Sequence, residues 1–432
     1  MLSDNIGVNE QGRLTFAGYD TVELAKQYQT PLYLMDETRI RRNCRIWRDS
    51  FEKAFGTNAL VLYASKACSF RKICEIAAQE GLGLDVVSCG EIYTALQAGF
   101  PMDKVYFHSN NKTDEDVEFA ISHGVGYFVV DNWEELDVLN EYAGRAGVRQ
   151  KLLLRLTPGI DPHTYEAVNT GKVDSKFGTA IETGQADKII EYTLSLPNLD
   201  LSGFHCHVGS MVFEEDVYQR TIDIMLPYMA YVREKFGYVA REFDLGGGYG
   251  VRYLDSDGQI DLAARISEVA AHLIETAEKL NYPLPKFLME PGRSIVADAG
   301  MTLYTVGTVK RITGYKNYVS IDGGMSDNPR YALYRSEYTV YNAGKPCEPA
   351  ELVADLVGRC CESDDVIQPE VSVPDSTCRG DIIAVCTTGA YNYSMASNYN
   401  RLPRPAVVML NEQGAYVAVR RESLEDLLRL DA

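Results

Sequence analysis

Between residues 59 and 289 the sequence repeats one device eight times, a short apolar run followed by an amphipathic stretch. The apolar runs are Ala59–Ala64, Leu84–Val87, Lys104–Phe107, Tyr127–Val130, Lys151–Leu156, Leu201–Cys206, Glu242–Leu245 and Lys286–Met289. Each is short and rich in Val, Leu, Ile, Phe or Tyr, the composition of a parallel strand buried on both faces. Helical patterns lie between them, at Ser69–Gln79, Glu91–Ala98, Thr113–His123, Trp133–Ala146, Gln185–Leu194, Glu215–Phe236 and Leu262–Leu280. Thr113 stands three residues ahead of Asp116, and Asp131 three ahead of Glu134, as N-terminal caps do. Gly81, Gly99, Gly124 and Gly237 supply C-terminal stops. Eight strand-plus-crossover units predict a (β/α)8 barrel of about 250 residues. An open doubly wound sheet is the alternative, and the count of eight favours the barrel.

After about residue 300 the texture changes. Tyr304–Ile312, Tyr318–Ile321, Glu337–Tyr341, Glu351–Val357, Asp381–Cys386 and Ala406–Leu410 read as strands joined by Gly, Pro, Asp and Asn turns. Long helices vanish until Glu422–Leu430, and Arg13–Phe16 reads as a strand that joins this region. The expected organisation is an α/β chain with a TIM-type barrel over residues 31–292. A mainly antiparallel β domain follows over 293–432, completed by residues 1–30.

Charge excludes some functions. The 432 residues carry 61 acidic and 42 basic side chains, a net charge of −19. Broad nucleic-acid binding and docking on anionic membranes both need a basic footprint, which this balance lacks. No apolar run reaches the 18 or so residues of a membrane span. The start, Met1-Leu2-Ser3-Asp4-Asn5, has neither a basic nor an apolar leader segment. The ten cysteines are scattered without a CxxC pair. These features lead us to expect reduced thiols and a cytoplasmic protein.

A barrel of this kind places its chemistry at the C-terminal strand ends. Reactive residues follow the expected strands there: Ser65-Lys66-Ala67, Ser88-Cys89-Gly90-Glu91, His108 with Asn110 to Lys112, His205-Cys206-His207-Val208-Gly209-Ser210, Gly246-Gly247-Gly248-Tyr249-Gly250, and Glu290-Pro291-Gly292-Arg293. The glycine tract lets backbone N–H groups approach an anion such as phosphate; a tight turn is the bland alternative. It fits neither the dinucleotide pattern, because of Val251, nor a P-loop, and Gly171-Lys172 is no P-loop because Val173 follows. Lys66 ends a buried strand, where a partly desolvated amine could form a Schiff base; a rim ion pair is the alternative. His205 and His207 face the same side of a strand, but no third ligand stands at matching spacing, so no metal is expected. A histidine beneath a planar cofactor suits His207, and a hydrogen-bonded core histidine suits His205. Glu290 could hold a proton on a ring nitrogen, or pair with Arg293. Cys361 could act as an acid, or be a structural thiol.

Taken together, these segments resemble the alanine-racemase-like, fold-type-III amino-acid decarboxylases that use pyridoxal 5'-phosphate. Within that family the chain is most similar to the branch that acts on diaminopimelate. The resemblance covers roughly residues 30–430. It rests on Tyr63-Ala64-Ser65-Lys66-Ala67, Asp85-Val86-Val87-Ser88-Cys89-Gly90-Glu91, Thr170-Gly171 with Ser175-Lys176-Phe177-Gly178, and His205 to Ser210. Further support comes from Gly246 to Gly248, Glu290 to Arg293, Cys361-Glu362-Ser363 with Asp365, and Gly389-Ala390-Tyr391. It implies that Lys66 carries the cofactor as a Schiff base, that His207 stacks on its ring and that Glu290 keeps the ring nitrogen protonated. Gly246, Gly247, Gly248, Ser210 and Tyr391 would hold the phosphate, with Asp85, Gly292 and Arg293 completing the cofactor contacts. Cys361 would return a proton to Cα from the partner subunit, which implies a homodimer with sites at its interface.

Substrate choice turns on the far end of the molecule. The resemblance offers Arg293, Arg330, Tyr334 and Tyr391 for a distal carboxylate and Glu362 for a distal ammonium. Ornithine has no distal carboxylate and would leave such arginines unpaired. The implied reaction is decarboxylation of meso-2,6-diaminopimelate to L-lysine and CO2. The alternatives are a relative acting on ornithine, arginine or a specialised-pathway substrate, and a non-catalytic homologue that binds the cofactor. The chain departs from the family pattern at Arg359-Cys360, Met211, Ser326, Asn328-Pro329 and Tyr331, near the specificity region.

Overall fold

A computed structural model describes residues 1–160 and 175–432. Thr170, Gly171 and Lys172 lie outside the described residues. Eight parallel strands close on themselves: β1 (Ala59–Ala64), β2 (Gly83–Val86), β3 (Val105–Phe107), β4 (Tyr127–Val130), β5 (Gln150–Thr157), β6 (Leu199–His205), β7 (Glu242–Asp244) and β8 (Lys286–Met289). β8 pairs with β1 through Phe287–Ala59, Leu288–Leu60 and Met289–Val61, which shuts the barrel. Residues Thr179–Ala180 add a short parallel pairing beside β5.

The crossover helices form where the periodicity places them, with small shifts at their ends. Thr113 caps Asp114–Ser122 in a full capping box with Asp116. The helix Trp133–Ala146 is capped by Asn132, not Asp131; the Asn132 side chain accepts from the Glu135 N–H. Asp131 instead accepts from the Gly178 N–H at 2.8 Å. Gly237 ends Val217–Phe236 in the left-handed conformation that a side chain would strain.

The barrel interior is layered. Near the N-terminal strand ends, Tyr106 and Tyr127 stack at 4.2 Å and both donate to Glu242 at 2.9 Å. Above them Leu62, Val129, Leu153 and Leu288 form an apolar plug. Gly203 permits the close approach of β6 to β7, since a Cβ there would lie 1.8 Å from the Glu242 carbonyl oxygen. The lower barrel is therefore filled and satisfied, which leaves the C-terminal mouth for chemistry.

Compact units comprise residues 43–250 with 260–293, and residues 1–42 with 251–259 and 294–432. The second unit is built on a nine-stranded sheet. Gly300–Ile312 runs through its centre, antiparallel to Leu32–Asp36, Lys316–Ile321 and Ile382–Cys386. Ala406–Asn411 pairs parallel with Leu32–Asp36, a strand that lies inside the stretch 31–292. Leu14–Phe16 pairs with Ile6–Val8 and Tyr19–Asp20 in a separate three-stranded sheet, and the Leu14 N–H donates to the Ala343 carbonyl at 2.8 Å. Leu14, Phe16, Leu34, Leu303, Cys386 and Val408 share one buried core. Strands Val366–Val373 and Gly414–Val419 complete the sheet.

Candidate active site

The C-terminal ends of the barrel strands gather charge that a core normally excludes. Asp85 lies in β2, His205 and Asp244 end β6 and β7, and His108 and Glu290 follow β3 and β8 directly. Glu290 is buried, with Oε1 2.6 Å from His108 Nε2 and Oε2 3.2 Å from His205 Nε2. Burial alone would raise its pKa. The two histidines outweigh that and hold it well below the ordinary value, so the carboxylate stays charged. Asp244 goes the other way: burial, and then the Glu290 charge, push it well above its ordinary value. Two neighbouring acids are thus split into one neutral and one ionised member.

Sequence spacing offered His205 and His207 no third ligand. The fold brings His205, His108 and Glu290, which are distant in sequence, to within 4.8 Å of one another by their donor atoms. His205 is hydrogen-bonded to Glu290 and His108 lies in ion-pair contact with it, and His207 is not in the cluster. His205 is driven down to about 4 by burial, against the pull of Glu290. His207 falls well below its ordinary value through burial, then through Lys66 and Arg155. Its ring is therefore neutral, suited to lie flat against a planar group.

Lys66 sits in the turn Ser65–Ala67 after β1, with Nζ 3.6 Å from Asp85 Oδ2. Its side chain is 45% exposed, and the turn carries the amine beyond the strand end. Asp85 is 1% exposed, yet among the described residues neither of its oxygens accepts a hydrogen bond. Its neighbours are Lys66 and, at 3.7 Å, His108 Nε2. Gly292 packs under this turn, where a Cβ would stand 3.0 Å from the Cβ atoms of Ala64 and Ala67.

The glycine tract is required by close approach. A Cβ at Gly246 would meet His207 Nδ1 at 2.6 Å, at Gly247 the Glu290 carbonyl at 2.2 Å, and at Gly248 the Gly209 carbonyl at 2.3 Å. Val212 donates to the Gly248 carbonyl and Tyr218 to that of Gly247, fixing the loop. Among the described residues the Gly247 and Gly248 amides donate to no protein acceptor. Beside the tract, Arg293 Nη2 donates to Ser210 Oγ at 3.2 Å. Two available amides, a hydroxyl and a buried guanidinium make a cradle that fits a phosphate group.

Of the residues proposed for substrate, Arg330, Tyr334 and Tyr391 come together in the second unit. The Arg330 guanidinium lies 4.6 Å from the Tyr334 ring centre and 5.3 Å from that of Tyr391. Arg330 is 7% exposed, donates to Ser336 Oγ at 3.4 Å, and has no carboxylate within 4 Å among the described residues. Cys361 and Glu362 are exposed, and the Cys361 N–H donates to Asn400 Oδ1 at 2.7 Å.

Sequence reasoning passed over three groups. Arg155 stands in the apolar strand β5, its guanidinium 4.5 Å from the Phe177 ring centre, where burial lowers its pKa and the charges of Asp131, Glu290 and Asp85 oppose that shift. A charged residue inside a Leu-rich run was the available signal. His108 was seen at a strand end but given no partner. Glu91 accepts from the Val87 N–H at 2.7 Å, and burial raises its carboxyl to about 7.

Comparison with known proteins gives the family. Residues 37–297 match the family model described as "Pyridoxal-dependent decarboxylase, pyridoxal binding domain". The chain belongs to the pyridoxal-dependent decarboxylase family. It is 40% identical over 423 residues to diaminopimelate decarboxylase of Bacillus subtilis, covering 98% of this chain and 96% of the relative. It is 41% identical over 417 residues to diaminopimelate decarboxylase of Bacillus methanolicus, covering 96% of each. A crystal structure of diaminopimelate decarboxylase from M. jannaschii in co-complex with L-lysine matches with a TM-score of 0.90 and 32% identity. That match covers 100% of this chain and 99% of the other. As a family member the chain uses pyridoxal 5'-phosphate, and the aldehyde- and phosphate-binding groups described above fit it.

Proposed function

We propose that this protein decarboxylates meso-2,6-diaminopimelate to L-lysine and CO2. The reading is supported by relatives of that name at about 40% identity over almost the whole chain. The observation that carries the substrate assignment is Arg330, a buried guanidinium between two aromatic rings with no carboxylate partner among the described residues. In a chain of net charge −19, such a group fits an anion brought by the substrate. A diamine-type product or substrate without a distal carboxylate would leave it unsatisfied.

When bound, pyridoxal phosphate supplies an electron sink for the bond to the departing carboxylate. The chain's own residues do the rest. The Lys66 amine would hold the cofactor's aldehyde carbon, with Asp85 beside it to stabilise the ammonium form. The Gly246–Gly248 amides, Ser210, Arg293 and Tyr391 would hold its phosphate, with Gly292 leaving room for the Lys66 turn. His207, kept neutral, would face the ring without competing for its charge. Glu290, kept anionic by His108 and His205, would hold a proton on the ring nitrogen. CO2 leaves with no proton, so one must be returned to Cα. Cys361 Sγ would donate it and be reprotonated from solvent. Arg330, with Arg293 and Tyr334, would grip the distal carboxylate, and Glu362 the distal ammonium.

On this reading the protein acts as a homodimer in the cytoplasm, with Cys361 serving the partner's site. A panel of meso-diaminopimelate, ornithine, lysine and arginine with added cofactor tests the assignment. Turnover of diaminopimelate alone, with lysine and CO2 in equal amounts, is expected. Full activity on ornithine or arginine with none on diaminopimelate would contradict it.

A further inference from the structure

The segment Cys361-Glu362-Ser363-Asp364-Asp365 ends in a residue to which the reaction gives no role. Asp365 is 4% exposed. Its Oδ2 accepts from the Cys360 N–H at 2.6 Å and its Oδ1 from the Met325 N–H at 2.6 Å. Its carbonyl accepts from the Gly358 N–H at 3.0 Å, and the Arg359 N–H donates to the Gly323 carbonyl at 2.9 Å. One carboxylate thus joins two segments, 323–328 and 358–365. The fit is tight: a Cβ at Gly358 would stand 2.3 Å from Oδ2, and one at Gly324 2.7 Å from Oδ1.

Each segment leads to a residue with a proposed role. The first turns through Asp327 and Asn328, whose N–H groups both donate to the Gly324 carbonyl, and runs straight into Arg330. Asp327 braces it from below, accepting from the Gly324 N–H at 3.0 Å and from Tyr304 at 2.5 Å. The second segment carries Cys361 and Glu362. Ser326 and Cys360, two of the positions that depart from the family pattern, contact each other across the join.

We propose that Asp365 is a positioning residue that sets the Cys361–Glu362 loop and the approach to Arg330 as one rigid piece, so that the loop offered to the partner's site and the Arg330 grip in this chain's own site are positioned by the same carboxylate. Its catalytic consequences rest on the function proposed above. A carboxylate with two short backbone donors cannot be replaced by an amide without losing one of them.

The test is Asp365→Asn in the full-length holoenzyme. Expected are an unchanged cofactor absorbance band, kcat lowered about tenfold or more and KM for meso-diaminopimelate raised in parallel. N-ethylmaleimide labelling, read for each cysteine by mass spectrometry, should change about threefold or more at Cys361 and not at the exposed Cys347 and Cys378. Gly324→Ala crowds the same oxygen and should give the same pattern more mildly, which decides the matter if Asp365→Asn does not fold. Labelling of Cys361 unchanged in the folded variant, whatever happens to kcat, would overturn the proposal. If the wild-type protein fails to turn over diaminopimelate, the substrate reading falls while the labelling comparison still decides the role of Asp365.

Discussion

Replacing Glu290 by Gln tests the electrostatic core of the site. The carboxylate accepts from His205 at 3.2 Å and has His108 Nε2 2.6 Å from its other oxygen. His205 is held neutral, so its contact is a charge-assisted hydrogen bond, worth roughly 1.5–3 kcal/mol. Glutamine keeps one accepting oxygen and turns an NH2 toward the other histidine, so about one such bond is lost. Asp244 recovers part of this, because the Glu290 charge is one cause of its raised pKa. A net destabilisation of about 2 kcal/mol follows, a fall in Tm of roughly 4–8 °C by the usual conversion. The effect on rate is larger. Removing one member of a buried charge pair costs roughly 2–5 kcal/mol, and 3 kcal/mol is about a hundredfold in kcat. The pH dependence has a defined sign. The folded pKa of Glu290 lies below its ordinary value of 4.5, so its stabilisation is complete above that value and is lost as pH falls through the folded pKa. The Tm difference between wild type and variant should therefore be full at pH 7 and shrink in acid. Kinetics at saturating cofactor, with Tm measured from pH 3.5 to 8, check both. A kcat within about threefold of wild type, with cofactor bound, would refute the role given to Glu290.

Further expectations concern three other positions. Glu91 has a raised folded pKa of about 7, so it lowers stability progressively as pH rises from about 4.5 to 7. Glu91→Gln should remove that trend, gaining in Tm relative to wild type between pH 5 and pH 8 in thermal melts. Arg330→Met should raise KM for diaminopimelate about ten- to a hundredfold while leaving Tm unchanged or higher, because no carboxylate among the described residues loses its partner. Cys361→Ala should retain the cofactor band and lose most turnover in steady-state assays; unchanged turnover would remove Cys361 from proton transfer.

Much of the barrel was legible because its strands are buried on both faces and read as unbroken apolar runs. The strands that escaped notice lack that signature. Val366–Val373 contains Pro369, and Glu370 at φ 50° coincides with register shifts against Leu352–Val357, so its period is broken. Leu32–Asp36 is a clean apolar run, but its partners, Gly300–Leu303 and Ala406–Leu410, come from distant parts of the chain. The site shows the same divide. The glycines at 246–248 stood out because only they can stand so close to neighbouring backbone, whereas the position of Lys66 left a rim ion pair open and its role came from the family resemblance. The His108–Glu290–His205 cluster was not legible, since barrel closure alone joins β3, β6 and β8 at one rim.

The central claim is that Lys66 carries pyridoxal phosphate in a decarboxylase acting on diaminopimelate. Its most direct test is borohydride reduction of the holoenzyme, peptide mapping of the labelled lysine, and assay of lysine and CO2 from meso-diaminopimelate before and after reduction. The account predicts a single label on Lys66, equal release of lysine and CO2 from the untreated enzyme, and none once Lys66 is reduced. A label on another lysine, or turnover that survives complete reduction at Lys66, would contradict it.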